Sequence, residues 1–162
     1  MEIRSLQLHD SQDVLRINAA AHPAVSRLDL NEFSRLMKIS AFHLAMIDSG
    51  GVIVGYTLAF SKNHPYDGEE FLVFRSSIVE PFLYIDQIVI DNAFRGFGAG
   101  RMLYHELASY ARIMGMAVLC CEVNISPPNP NSLAFHRRMG FTPAGELKTL
   151  DGRAVALLRR EV

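Results

Sequence analysis

Apolar and polar residues repeat along this chain with two periods, and the switches between them outline alternating strands and helices. Glu2 to Leu8 alternates acidic, apolar and polar positions as a short strand does. Asp10 then stands where an N-cap would, ahead of Val14, Ile17 and Ala21 at helical spacing. Asp29-Leu30-Asn31-Glu32 has the form of a capping box, and Leu30, Phe33, Leu36 and Met37 give a second helix its apolar face, ending near Ile39. Phe42 to Ile47 and Val52 to Phe60 are apolar and β-rich, and Asp48-Ser49-Gly50-Gly51 between them predicts an antiparallel hairpin.

From Lys62 to Pro81 the periodicity lapses around His64-Pro65-Tyr66-Asp67-Gly68, which predicts a substrate loop or lid, since long loops in compact domains tend to be functional or mobile. Phe82 to Ile90 is then a nearly continuous apolar strand. A glycine-rich stretch leads into Leu103, Leu107, Tyr110, Ala111 and Met114 at helical spacing, stopped by Gly115. Ala117 to Val123 is an apolar strand interrupted by Glu122, and a further helix runs from about Pro130 to Met139 before Gly140-Phe141 begins the last strands. Asp151-Gly152 turns a final hairpin with Ala154 to Leu158 as its return. The predicted fold is α/β (α+β): one domain over residues 1–162, with a mixed, mostly antiparallel sheet of about seven strands and helices on both faces.

Composition narrows the partners. The chain is 49% hydrophobic and 20% charged, and its 16 Lys and Arg against 17 Asp and Glu leave a formal net charge of −1. No block of like charge occurs, which argues against nucleic acid or an anionic membrane as the main partner. No apolar stretch reaches the ~20 residues of a membrane span, and Met1 to Ser5 lacks the basic start of a leader, so the expected location is cytoplasmic. Cys120 and Cys121 are adjacent in an apolar run, without His or Cys at metal spacing. They are expected to be packing residues, and no metal site is expected.

The chemistry begins at Arg95-Gly96-Phe97-Gly98-Ala99-Gly100-Arg101, where glycines between a strand and a helix let backbone N–H groups converge on an anion. Neither the G-x-G-x-x-G spacing of a dinucleotide fold nor the Gly-Lys-Ser/Thr ending of a triphosphate loop is present, because Leu103 and Arg101-Met102 occupy the deciding positions. Alone, such a loop could simply let a helix pack close to its strand. In context, Ile88-Val89-Ile90-Asp91-Asn92-Ala93-Phe94-Arg95-Gly96-Phe97-Gly98-Ala99-Gly100 resembles the acyl-coenzyme A motif of the GCN5-related N-acetyltransferase (GNAT) superfamily. The order of elements is similar as well. The resemblance implies that the Ile88-Val89-Ile90 strand end pairs its backbone with the pantetheine arm of acetyl-coenzyme A. It also implies that Arg95, Gly96, Phe97, Gly98, Ala99, Gly100 and Arg101 surround the pyrophosphate. Asn92 stands where the family often has Pro, a position that shapes a turn.

A second signature is Asn129-Pro130-Asn131-Ser132-Leu133-Ala134-Phe135-His136-Arg137-Arg138-Met139-Gly140-Phe141, similar to the family's Asn followed seven residues later by a Tyr four before Gly-Phe. Asn129 carries over, and with Ser132 it is implied to touch coenzyme A, a role compatible with capping the helix ahead of Pro130. The Tyr, often the acid that protonates the leaving thiolate, is His136 here. An imidazole with a reference pKa near ~6.5 could serve as that acid, or His136 could be a packing histidine. Two carboxylates are candidate bases: Glu122, isolated in an apolar strand where an acid is costly unless solvated or bonded, and Asp86 on the preceding strand. Each could instead be a structural hydrogen-bond acceptor.

The implied activity is transfer of the acetyl group from acetyl-coenzyme A to a primary amine by direct attack in a ternary complex. No Cys sits where a nucleophile would be expected. A small amine, an amino acid and a peptide N-terminus all remain open as acceptor, and so does a homodimer. The alternative is a non-catalytic acyl-coenzyme A binding module that keeps the glycine loop, for which His136 in place of Tyr is the main support.

Overall fold

The computed structural model describes all 162 residues. In chain order the elements are β1 (Glu2–Ser5), α1 (Ser11–Ala21), α2 (Leu30–Ile39), β2 (Phe42–Ile47), β3 (Ile53–Ser61), α3 (Glu69–Ser77) and β4 (Phe82–Ile90). They continue with α4 (Ala99–Ile113), β5 (Val118–Ser126), α5 (Pro130–Arg138), β6 (Thr142–Lys148) and β7 (Ala154–Glu161). The strands form one seven-stranded sheet in the order β1-β2-β3-β4-β5-β7-β6, antiparallel throughout except between β4 and β5. The mixed α/β architecture expected from the periodicities is the one found.

The helices divide between the two faces. Val14 and Ile17 of α1, Phe33 and Leu36 of α2, and Phe71 and Phe74 of α3 pack on one face with Tyr56, Phe82 and Tyr84. On the other face Tyr104, Leu107, Ala108 and Ala111 of α4 cover Leu83, Ile85 and Leu119. Strand alternation sends Cys120 to the first core and Cys121 to the second, so the adjacent thiols point apart and both are free and buried.

Local signals account for most boundaries. Asp29 caps α2 by accepting from the Glu32 N–H at 2.7 Å, but the Glu32 carboxylate turns to Arg35 instead of closing the box. Asp10 sits at the α1 N-cap position, yet its carboxylate accepts from Arg4 and from the Gln7 N–H, each at 2.8 Å, and makes no cap bond. The 62–81 segment expected as an irregular loop instead contains α3. That helix has Gly68 at its N-cap with no capping side chain, and within it only Glu70, Phe71 and Phe74 are buried. A nine-residue helix with so short an apolar stripe leaves little periodic signal. β1 is also shorter than expected, because Leu8–Asp10 forms a single 3-10 turn.

Candidate active site

The site originates in an irregularity of β4. Leu58 of β3 pairs with Gln87 and Ala59 with Ile85, so Asp86 is an extra, unpaired residue: a β-bulge. Before the bulge Phe82 and Tyr84 face the α1–α3 side; after it Gln87 and Val89 do, with Asp86 at the switch. The parallel pairing with β5 covers only Phe82 with Val118, Leu83 with Leu119 and Tyr84 with Cys120. Beyond it β5 keeps its β7 partner up to Ser126 and β4 keeps β3 up to Ile90, so the two strands part. Their facing edges from Ile85 and Cys121 onward are backbone without a partner strand, and such groups require something to bond.

At the end of this cleft the chain turns into α4. Asp91 accepts from the Ala93 N–H and pairs with Arg16 of α1 at 2.7 Å, while Arg95 Nε donates to the Ile90 carbonyl at 3.0 Å. Gly96 and Gly98 have φ of +85° and +84°, which L side chains rarely adopt, and Gly98 is the α4 N-cap without a side-chain capping bond. The first turn of a 15-residue helix therefore presents free N–H groups, with Arg95, Phe97 and Arg101 exposed around it. Gly100 has a different constraint: a Cβ there would come within 2.9 Å of the Phe135 ring, so it sets the approach of α4 to α5.

A cavity of about 90 Å³ passes through the sheet between β4 and β5. On the α4–α5 side it is lined by Asn129, Ser132 and His136, and on the other by Tyr66, Glu70, Asp86, Glu122, Asn124 and Arg153. Sequence reasoning singled out Asp86, Glu122, Asn129, Ser132 and His136 as site residues, and the fold brings all five to this one cavity. Asn129 caps α5 through the Ser132 N–H at 3.3 Å, as its place before Pro130 suggests. Tyr66, Glu70, Tyr84, Asn124 and Arg153 carried no signal of their own: Tyr84 and Asn124 sit among the apolar residues of β4 and β5, and only the packing of α3 and the β6–β7 turn brings in Tyr66, Glu70 and Arg153. A larger depression of about 450 Å³ lies along α4 between Arg101, His105, Arg112 and Met139, and neither Asp86 nor Glu122 lines it.

The two carboxylates are joined through tyrosines. Tyr84 donates to Glu122 Oε2 at 2.8 Å and approaches Asp86 Oδ1 at 3.4 Å, and Tyr66 donates to Asp86 Oδ1 at 2.6 Å. Glu122 Oε1 and Asp86 Oδ2 have no protein partner, and since no buried side-chain polar atom is left unpaired, both oxygens open onto the cavity. Burial raises the Glu122 carboxyl well above the usual range, with the negative charges of Glu70 and Asp86 adding to it. Asp86 is pushed up to about 6, chiefly by burial, against the lowering effect of the Tyr66 hydroxyl.

His136 is 4% exposed. Its Nδ1 lies 2.8 Å from the Ser132 carbonyl, which can only accept, so the proton is on Nδ1. Nε2, 2.7 Å from the Tyr104 hydroxyl, is then the acceptor, and burial lowers the ring's pKa. The acid role that the sequence suggested needs a proton on a nitrogen that faces the reaction. Here both nitrogens are engaged within the wall.

A sequence model described as the acetyltransferase (GNAT) family matches residues 11–141. No curated protein sequence matches the chain. Among solved structures, the Chaetomium thermophilum Naa20 in complex with a bisubstrate analogue superposes with a TM-score of 0.80 at 16% identity, covering 100% of this chain and 87% of that one. The ribosomal-protein-alanine N-acetyltransferase from Brucella melitensis gives 0.75 at 22% identity, covering 100% of both chains. The Salmonella typhimurium yncA structure with its cofactor acetyl-CoA gives 0.69 at 19% identity over 99% of this chain and 93% of that one. At these identities the likeness speaks for the fold.

Proposed function

This chain belongs to the acetyltransferase (GNAT) family, and from that premise we propose that it transfers the acetyl group of acetyl-coenzyme A to a primary amine by direct attack in a ternary complex. The observation that carries the reading is the parting of β4 from β5, which leaves the β4 edge without a partner strand between the paired carboxylates and the uncapped α4 N-terminus. The α4 N–H groups and Arg95 and Arg101 suit a pyrophosphate, and the unpaired β4 edge suits the amides of a pantetheine arm.

On the acceptor side, Glu122 holds its Oε2 on the Tyr84 hydroxyl and leaves Oε1 for the incoming ammonium. An amine must lose its proton to attack, and a carboxylate whose pKa is raised toward that of the amine is better matched to take it, directly or through water. Asp86 adds negative charge at the same place and steadies the cation before transfer. No covalent acyl-enzyme is required: Cys121 is the thiol that lines the cavity, and burial raises its pKa, which keeps it protonated.

The test is release of free thiol from acetyl-coenzyme A in the presence of a broad amine and peptide panel, in the parent and in Glu122→Gln. The expected result is turnover in the parent and a loss of about 10² or more in the variant, with acetyl-coenzyme A affinity within about threefold of the parent. Tight acetyl-coenzyme A binding with no thiol release from any amine would favour the non-catalytic binding module. Full turnover in Glu122→Gln would move the base to Asp86.

A further inference from the structure

The acceptor side of the cavity has a rim whose segments are bonded to one another. Asn124 of β5 donates to the Pro23 carbonyl of the α1–α2 loop at 2.8 Å and accepts from Arg153 of the β6–β7 turn at 3.2 Å. Arg153 reaches on to Glu70 of α3 at 3.1 Å, and the Leu150 N–H of the same turn donates to Glu69 at 3.1 Å. The α1–α2 loop is fixed again further along, where Asn18 and Gln87 both donate to the Ser26 carbonyl, at 2.9 and 3.2 Å. Asn124 and Glu70 are 3% and 7% exposed, so the bridge itself is covered. The three segments that could part to admit a chain are thus tied together, around a cavity of about 90 Å³. For scale, an engineered cavity that takes up benzene measures about 150 Å³.

Charge selects within that size. Arg153 is the one cation lining the cavity, and its three guanidinium nitrogens are already directed at Asp151, Asn124 and Glu70. The open oxygens of Asp86 and Glu122 face the acceptor without a counter-ion. An ammonium is attracted there, whereas a carboxylate on the same small molecule would meet the acidic pair of Asp86 and Glu122 with no free cation to receive it.

We propose that the acceptor is a small cationic amine with no carboxylate beside its nitrogen, and that the Pro23–Asn124–Arg153–Glu70 bridge keeps polypeptide N-termini out. This rests on the amine-transfer reading above and names its substrate class. Two pairs of probes separate charge from size by thiol release. 2-Aminoethanol and glycine are similar in size and basicity, but only glycine brings a carboxylate; glycinamide and glycyl-glycyl-glycinamide differ only in chain length.

The expected kcat/KM is at least about tenfold higher for 2-aminoethanol than for glycine, and higher for glycinamide than for the tripeptide amide. Asn124→Ala should narrow the length gap. So should the charge-neutral double variant Glu70→Gln with Arg153→Met, which loses the bridge without the Asn124 packing. Both should leave the carboxylate gap in place, because Asp86 and Glu122 remain. Equal use of glycine and 2-aminoethanol, or parent activity on the tripeptide amide equal to that on glycinamide, overturns the proposal. Transfer to none of the four probes while another amine in the broad panel is acetylated also overturns it, and leaves amine transfer standing. No thiol release with any amine overturns the transfer reading and this one with it.

Discussion

His136 donates its Nδ1 proton to the Ser132 carbonyl and takes the Tyr104 hydroxyl at Nε2, so its spacing in the sequence and its role in the fold part company. The spacing puts a titratable ring where the family has an acid; burial then makes the neutral form the stable one. With the folded pKa below the ordinary value, the unfolded chain binds more protons between the two. The histidine's contribution to stability is therefore complete above about pH 6.5 and is lost as pH falls through the lowered folded value. In His136→Phe the Tyr104 hydroxyl loses its partner, which should cost about 1–3 kcal/mol, while the acid penalty of the ring disappears. The difference in melting temperature between parent and variant should accordingly be larger at pH 8 than at pH 5. A difference that grows toward low pH would mean that the ring is charged in the folded protein and would return it to the role of acid.

The strand–loop–helix unit from β4 to α4 shows that glycines three positions or fewer apart do different work. Gly98 has open space around its Cβ direction but a φ of +84°, so any side chain there is strained and projects from the α4 N-terminus. Gly100 has helical backbone and a crowded Cβ direction against Phe135. Gly98→Trp should abolish acetyl-coenzyme A binding by calorimetry while losing about 1–2 kcal/mol of stability to the left-handed backbone. Gly100→Ala should lose about 1–3 kcal/mol through overpacking of α4 on α5, and weaken binding only as far as the helix moves. Unchanged affinity in a folded Gly98→Trp protein would count against the anion site. Sequence spacing placed both glycines in one loop, and only the helix-to-helix approach distinguishes them.

Across the whole molecule, a sheet parted at its centre is a sheet short of bonds, and a ligand that fills the gap should stabilise it. At 100 times its dissociation constant a ligand adds about 2.7 kcal/mol, which for a chain of this size corresponds to roughly 5–10 °C in melting temperature. Hydrogen exchange should slow on the β5-facing amides of β4 beyond Ile85 when acetyl-coenzyme A is added, and stay unchanged on the amides bonded to β3. Equal protection on both edges would mean the ligand binds elsewhere. Periodicity and turn chemistry were enough for the seven strands, four of the five helices, the hairpin turns and the glycine loop, because those signals are carried by neighbours in sequence. The Asp86 bulge was hidden in a nearly continuous apolar run, since a one-residue register slip leaves little mark where apolar residues flank it on both sides. The α3 helix was hidden for want of a capping side chain and a longer stripe. Glu70, Asn124 and Arg153 had no local signature at all. They lie far apart in sequence and acquire a role only because the folded sheet brings α3, β5 and the β6–β7 turn to one rim, where distance and burial, which no linear pattern records, decide which charges meet.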